Sequence, residues 1–524
     1  MESLATGEDI ADSVWDGLES FKLGGKHDAQ AISSLLASFA IPLLFAAAAH
    51  AFTSHDKAKM RNSSLALECA LGSTAGSDYL NAERSQLIQL CLAGMQSDMQ
   101  ELQLQTVKVV KALALHQPED RPQRCHTLVA TPLLPELIQL VASKAITTGE
   151  AASSTLLGIV RESSSPGDVV TVLTALREAC SSADINTKGL LRYADLITNI
   201  AGLSSEGFQA GIATGALSVV LELADRGDDL LVQLNAFELL ERIAGCEDGA
   251  TFLQSKIQHL LELGQGHGPG EESSDPTLRS AAIQLLSKIL SNARPGPALD
   301  PAIPSFLQAV LLHLRGGEGA QLAALDALTA FAAKRDEVLA AALSQRELAE
   351  AWLSLRKPNT DMKAVVLKSL ARVLGAPEKE SSEPVISPAA VERSNLCRLA
   401  WDTFGEINGG PTPMPLLMAC LKQPIPEMKH AACELLCCAA HQTGGWGIRA
   451  LFAHAGVLEY LCSTDVAVGK AEAEWKFCVV EAVMLCPDKA ILGAELLGKL
   501  EAVLKRGPFP VPQQQRSWVE AENM

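Results

Sequence analysis

The 524 residues are 48% hydrophobic, 20% charged and only 4% aromatic, with 43 basic against 61 acidic side chains and a formal net charge of −18. Leu, Ala, Val and Ile suffice for a large core, which excludes a disordered chain. Three Tyr and six Trp are too few for a strand-rich fold and leave the helix formers in charge. The acidic balance repels phosphate backbones, so no nucleic acid partner is expected.

The first thirty residues read as a flexible N-terminus, acidic at Glu2, Glu8, Asp9 and Asp12 and without a basic-then-apolar leader. With thirteen Cys scattered singly or in irregular clusters, this predicts a reduced, cytoplasmic location, with the nucleus as a second possibility. Leu35 to Phe52 carries no formal charge over eighteen residues, the minimum for a membrane span. Pro42 stands in its middle and no Lys or Arg flanks it. The expectation is two short buried helices broken at or just before Pro42, whose ring removes a donor and clashes with the preceding turn, and no membrane partner.

From Asp56 onward one pattern recurs: a polar start, a small residue about a turn and a half in, and a Leu-rich stripe at helical spacing. The starts fall at Asp56, Asp98, Asn186, Asp228, Asp275, Glu318 and Asn359, 41 to 47 residues apart except for one interval of 88. A weaker unit from Lys144 to Glu162 fills that interval. A further start at Pro424 follows a longer gap that holds an insertion, residues 376–388. This period belongs to HEAT and armadillo repeats. Each unit also has a preceding apolar helix, so the fold class predicted is all-α: a single armadillo/HEAT-type solenoid of stacked helix pairs over 31–507, with an extended tail at 508–524. Small residues at one place in the pattern, Ala236, Ala281, Ala324, Ala364 and Ala431, allow close helix approach, and Gly or Asn after each helix is suited to a left-handed cap.

Chemistry is sparse. Gly493-Ala-Glu-Leu-Leu-Gly498-Lys499-Leu500 has Walker spacing but lacks the final hydroxyl and lies on a helical stripe. His430, Cys433, Cys437 and His441 share one stripe, but from first to last they advance roughly 16 Å along the axis, too far for one zinc ion; buried Cys packing as a small hydrophobe is the better reading. Trp352, Trp401, Trp446 and Trp475 are spaced like core or inter-repeat fillers. No catalytic, cofactor or metal site is assigned, and the chain is expected not to be an enzyme.

What remains is the surface. In a solenoid the second helices line an extended groove suited to another protein. Their outward positions here are Arg192, Asp195 and Asn199, then Glu238 and Arg242, then Arg279 and Lys288. These are the candidate protein-binding residues.

The run Leu191 to Ile197, Gly202 to Gly207, Gly215-Ala-Leu and the Asp228 helix through Gly249 to Leu253 resembles the 26S proteasome non-ATPase regulatory subunit 5 family. Gln423 to Glu427, His430-Ala-Ala, Phe452, Gly456 to Tyr460 and Gly507 to Val511 extend the resemblance collinearly, and it is better in the last hundred residues. The chain departs from that family in its Ala and Gly content and in the 376–388 insertion. The resemblance implies a monomeric chaperone of regulatory-particle assembly. Its partners would be base ATPase subunits, bound through their C-terminal domain, and early base intermediates, and it would leave before the mature particle forms. The competing reading is a generic armadillo adaptor. Against transport, Asn235 and Trp352 do not repeat in register along the groove.

Overall fold

The computed structural model describes residues 11–24, 29–116, 120–163, 165–182, 185–226, 229–266, 275–294, 296, 299–356, 359–375, 391–463 and 469–509. The 376–388 insertion, nearly all of the C-terminal tail and most of the Gly-rich 264–276 segment lie outside them. Every regular element among the described residues is helical, and the chain divides into two compact units, residues 1–243 and 244–524.

The predicted break at Pro42 is present: helices Ala29–Ser38 and Ile41–Thr53 meet at 85°, with Pro42 in the first turn of the second. There its missing N–H costs nothing. Leu44, Ala47 and Ala51 of that helix are fully buried. No single helix among the described residues is long and apolar enough to cross a membrane.

In the first unit the repeat pattern becomes a row of five long helices: α1 (Lys57–Leu71), α2 (Gln100–Leu115), α3 (Ile146–Glu162), α4 (Thr187–Ala201) and α5 (Leu230–Ile243). Each packs on the next, and each also packs on a preceding apolar helix, such as Leu133–Val141 before α3 and Ala216–Ala224 before α5. In the second unit α6 (Pro276–Asn292), α7 (Glu318–Lys334), α8 (Thr360–Val373), α9 (Pro426–Ala440) and α10 (Lys470–Leu485) form a corresponding row. This is the all-α solenoid expected from the period.

Four of the predicted polar starts act as N-caps, while the helices expected from Asp98 and Glu318 begin without a side-chain cap. Asp56 Oδ1 accepts from the Ala58 and Lys59 amides, Asn186 from Gly189, Asp275 from Thr277 and Asn359 from Asp361. Each relieves an amide that would have no partner at a helix start. For α5 the cap is Asp229, one residue later than the sequence pattern suggests. Ala236, Ala324 and Ala431 are completely buried and Ala364 nearly so. Ala281 is half-buried, and Ala282 takes the buried place instead.

Two expectations need correction. Seven of the ten row helices are preceded by two helices instead of one, the extra ones being Thr74–Ala82, Arg121–Val129, Ser205–Ala213, Glu247–Phe252, Asp336–Ser344, Val391–Ile407 and Trp446–Phe452. These are three-helix units of armadillo type. The left-handed caps are also fewer than expected: Gly72 and Gly202, after α1 and α4, have φ of −77° and −75°. A short helix begins within three residues of each, so the chain carries on in right-handed turns. Gly375 after α8 and Gly266 after Ile257–Gln265 do take positive φ.

Candidate protein-binding face

The row helices bury one stripe and leave another exposed, and polar side chains on the second stripe link successive helices. Asp195, Asn199 and Arg242 are brought together. Arg242 on α5 ion-pairs with Asp195 on α4 and donates to Asn199 Oδ1 at 3.0 Å, while Asn199 donates to the other Asp195 oxygen at 3.1 Å. The group is closed on itself and close to half exposed, so it presents a fixed, neutralised polar surface. Glu238 lies exposed on α5, and in the second unit Lys288 is half-buried on α6.

Arg192 is placed otherwise. Its guanidinium folds back over the end of the Leu133–Val141 helix and donates to the carbonyls of Ser143 at 2.6 Å and Val141 at 3.3 Å. A cation there satisfies carbonyls without intrahelical partners and opposes the negative end of the helix dipole. Gly149 makes room: a Cβ there would lie 2.7 Å from the guanidinium nitrogen.

Arg279 lies similarly, against Gly266 at the end of Ile257–Gln265, 3.2 Å from where a Cβ would stand. Beside it the buried His313 has Nε2 2.8 Å from the Gly264 carbonyl, which makes Nε2 the protonated nitrogen. Burial holds the His313 pKa below its ordinary value; the carbonyl bond opposes that shift, and the nearby Arg279 charge adds to it.

This folding-back recurs. The fourth residue of α2, α5 and α7 is a Gln that donates to the end of the helix before it: Gln103 to Ser97, Gln233 to Ala224 and Gln321 to Gly316, at 2.7, 3.2 and 2.8 Å. These donors seal helix ends; Arg279 holds the same fourth place in α6, and Arg192, two residues further along α4, does the same work from the sixth.

The sequence pattern missed a groove between α2 and α3. It has a volume of about 430 Å³ and is lined by Leu104, Lys108 and Lys111 from α2 and by Thr147, Glu150 and Ser154 among others from α3. Lys111 donates to Ser154 Oγ at 2.8 Å across it, while Lys108 and Glu150 are exposed. The available signal was the pair Lys108 and Lys111, three apart and so on one face of an amphipathic helix.

The Walker-like segment, the His/Cys stripe and the tryptophans lie in ordinary helical surroundings. Gly493–Arg506 is a helix after a short 3₁₀ turn, and Lys499 is paired with Glu495 at 2.8 Å. His430 stacks on Trp475 with centroids 4.5 Å apart. Cys433 is buried, and desolvation pushes its thiol up to about 12. Trp352 and Trp401 are fully buried, Trp352 donating to Ser369 Oγ at 2.7 Å and Trp401 meeting Trp446 edge-on at 6.1 Å. Among the described residues no group of three or more His, Cys, Asp or Glu is placed to hold a metal ion.

Fold and face together define an all-α repeat protein whose long helices stack in rows and expose a polar stripe. A model of the proteasome non-ATPase 26S subunit family matches residues 78–522, and the chain belongs to that family. No curated protein matches it. Among solved structures, Kap121p bound to Ste12p is similar at 14% identity and a TM-score of 0.49, over 99% of this chain and 56% of that one. This chain therefore spans little more than half the length of Kap121p. A crystal structure of an engineered protein is similar at 16% identity and a TM-score of 0.37, over 83% and 96% of the two chains. A designed armadillo repeat protein is similar at 18% and 0.30, over 47% and 98%.

Proposed function

We propose that this proteasome-family solenoid is a non-catalytic chaperone for assembly of the 26S regulatory particle base. It would hold the C-terminal domain of a base ATPase subunit on the exposed stripe of its row helices and leave before the mature particle forms. The observation that carries this reading is the family match over residues 78–522 on a fold whose exposed stripe offers fixed polar groups. The collinear resemblance to the subunit 5 family supports the finer assignment. The contact set in the first unit is Asp195, Asn199, Glu238 and Arg242, joined by Lys108, Lys111 and Glu150; in the second unit, taken by itself, the candidate is Lys288. Arg192 serves the fold through its bonds to Val141 and Ser143, and Arg279 lies against the Gly266 turn. The protein would act as a monomer in the cytoplasm and nucleus, without cofactor or bond chemistry of its own.

The test is capture from cytosolic extract on the tagged full chain. Free base ATPase subunits without mature 26S particles are expected. Recovery of intact particles, or of transport cargo in place of proteasome subunits, would overturn the proposal, the second outcome favouring an adaptor.

A further inference from the structure

The groove between α2 and α3 carries two ammonium groups, Lys108 and Lys111, against one carboxylate, Glu150. Lys108 is exposed, and Lys111 bonds a neutral hydroxyl, Ser154, so among the described residues neither is ion-paired at the rim of a chain that is −18 overall. Below them Leu104 and Ala151 supply an apolar floor. We propose that this groove takes an acidic side chain of a protein partner, the carboxylate bridging Lys108 and Lys111 and the aliphatic stem resting on Leu104 and Ala151. This deepens the client-holding reading above and rests on it for the partner's identity, but not for the chemistry of the groove.

The argument is one of complementarity. Lys111 Nζ is already directed across the groove by its bond to Ser154, so less side-chain freedom is lost when a carboxylate arrives. Glu150 on the facing wall repels a dense run of acids and selects one or two carboxylates beside an apolar residue. Opposed charges of this kind fix register and exclude wrong partners more than they add raw affinity. The exposed geometry sets the scale: two rim pairs at roughly 0.2 to 1 kcal/mol each amount to about two- to thirtyfold in affinity.

The experiment uses the full chain at low salt and two fluorescein-labelled peptides, one with a central Leu-Glu-Glu and one with Leu-Gln-Gln, followed by anisotropy. The Glu peptide should bind wild type about two- to thirtyfold more tightly than the Gln peptide. That preference should vanish in the Lys108→Glu/Lys111→Glu double variant and grow in Glu150→Gln. Circular dichroism checks that helicity is kept. No preference in wild type, or a preference that survives in the double variant, overturns the inference. Capture of ATPase subunits is then compared between wild type and the double variant. If wild type captures them and the groove shows no peptide preference, the groove inference falls while the function stands. If wild type captures none yet the peptide preference holds, the function reading falls and the groove chemistry remains.

Discussion

Replacing Arg192 and Arg242 separately by Ala distinguishes a side chain that holds the fold from one that only decorates it. Both stand on the outward stripe of the row helices, but Arg192 donates to two carbonyls at the end of the Leu133–Val141 helix. Arg242 forms an ion pair in which the two side chains are 42% and 49% exposed. Bonds from a charged donor contribute about 1.5 to 3 kcal/mol net when buried, and the helix-end charge adds roughly 0.3 to 1 kcal/mol. Arg192 is part-buried and water can reach the vacated carbonyls, so the expected loss for Arg192→Ala is about 2 kcal/mol. The exposed pair should lose no more than about 0.5 kcal/mol in Arg242→Ala. In a urea titration of the full chain followed by far-ultraviolet circular dichroism, a slope of about 3 kcal/mol per molar converts these losses to midpoint decreases of about 0.7 M and under 0.2 M. If unfolding shows two phases, one phase alone should shift, because repeat interfaces contribute locally. Equal midpoints for the two variants, or an unshifted Arg192→Ala, would refute the assignment of Arg192 to the helix end.

Gly447→Ala should unfold at a markedly lower urea concentration than wild type, because the new Cβ would stand 1.7 Å from the Ala439 carbonyl oxygen and overpacking costs about 1 to 3 kcal/mol or more; a wild-type midpoint would mean that the approach relaxes freely. His313 is held below its ordinary pKa by burial, so between that lowered value and about 6.5 the unfolded chain binds a proton that the folded chain does not. Stability therefore falls as pH drops through this window and is fully restored above it. The urea midpoint of wild type should decline from pH 7.5 to 5.5 more steeply than that of His313→Gln, and parallel declines would contradict this. Thiol labelling at pH 8 should modify the exposed Cys246 first and leave Cys91 and Cys433 unreacted until the chain unfolds, since burial raises both thiols to about 12. Early modification of either, read by peptide mass, would show that the core opens.

The row helices up to α9 were legible because they repeat a set of local signals. Asp56, Asn186 and Asn359 mark the starts with side chains that bond the first free amides, and fourteen to seventeen residues, as in α5 and α7, give the apolar stripe time to repeat. The shortest extra helices were not legible, because an element such as Glu247–Phe252, six residues long, completes fewer than two turns and shows no period. The Pro42 break was readable from one residue whose chemistry permits little else. The role of Arg192 was not. Its outward place on a helical wheel is correct, but the side chain answers to carbonyls 49 and 51 residues earlier, and no local pattern encodes that.

The hydroxyls buried between the helices of the second unit bear on how such a stack keeps its alignment. Ser287 on α6 donates to the Ala327 carbonyl on α7 at 2.6 Å, while Thr329 on α7 meets Ser369 on α8, which in turn receives the Trp352 indole. A seam of Ala and Leu is nearly indifferent to sliding: moved one turn, about 5.4 Å, methyl would again face methyl. The hydroxyls are not indifferent: Ser287 would then be dry and unbonded, at a cost of about 1 to 3 kcal/mol, and Thr329 would lose Ser369 and keep only the Leu325 carbonyl of its own helix. A few small polar atoms thus act as detents on an otherwise greasy slide, so that a face assembled from many helices keeps its spacing.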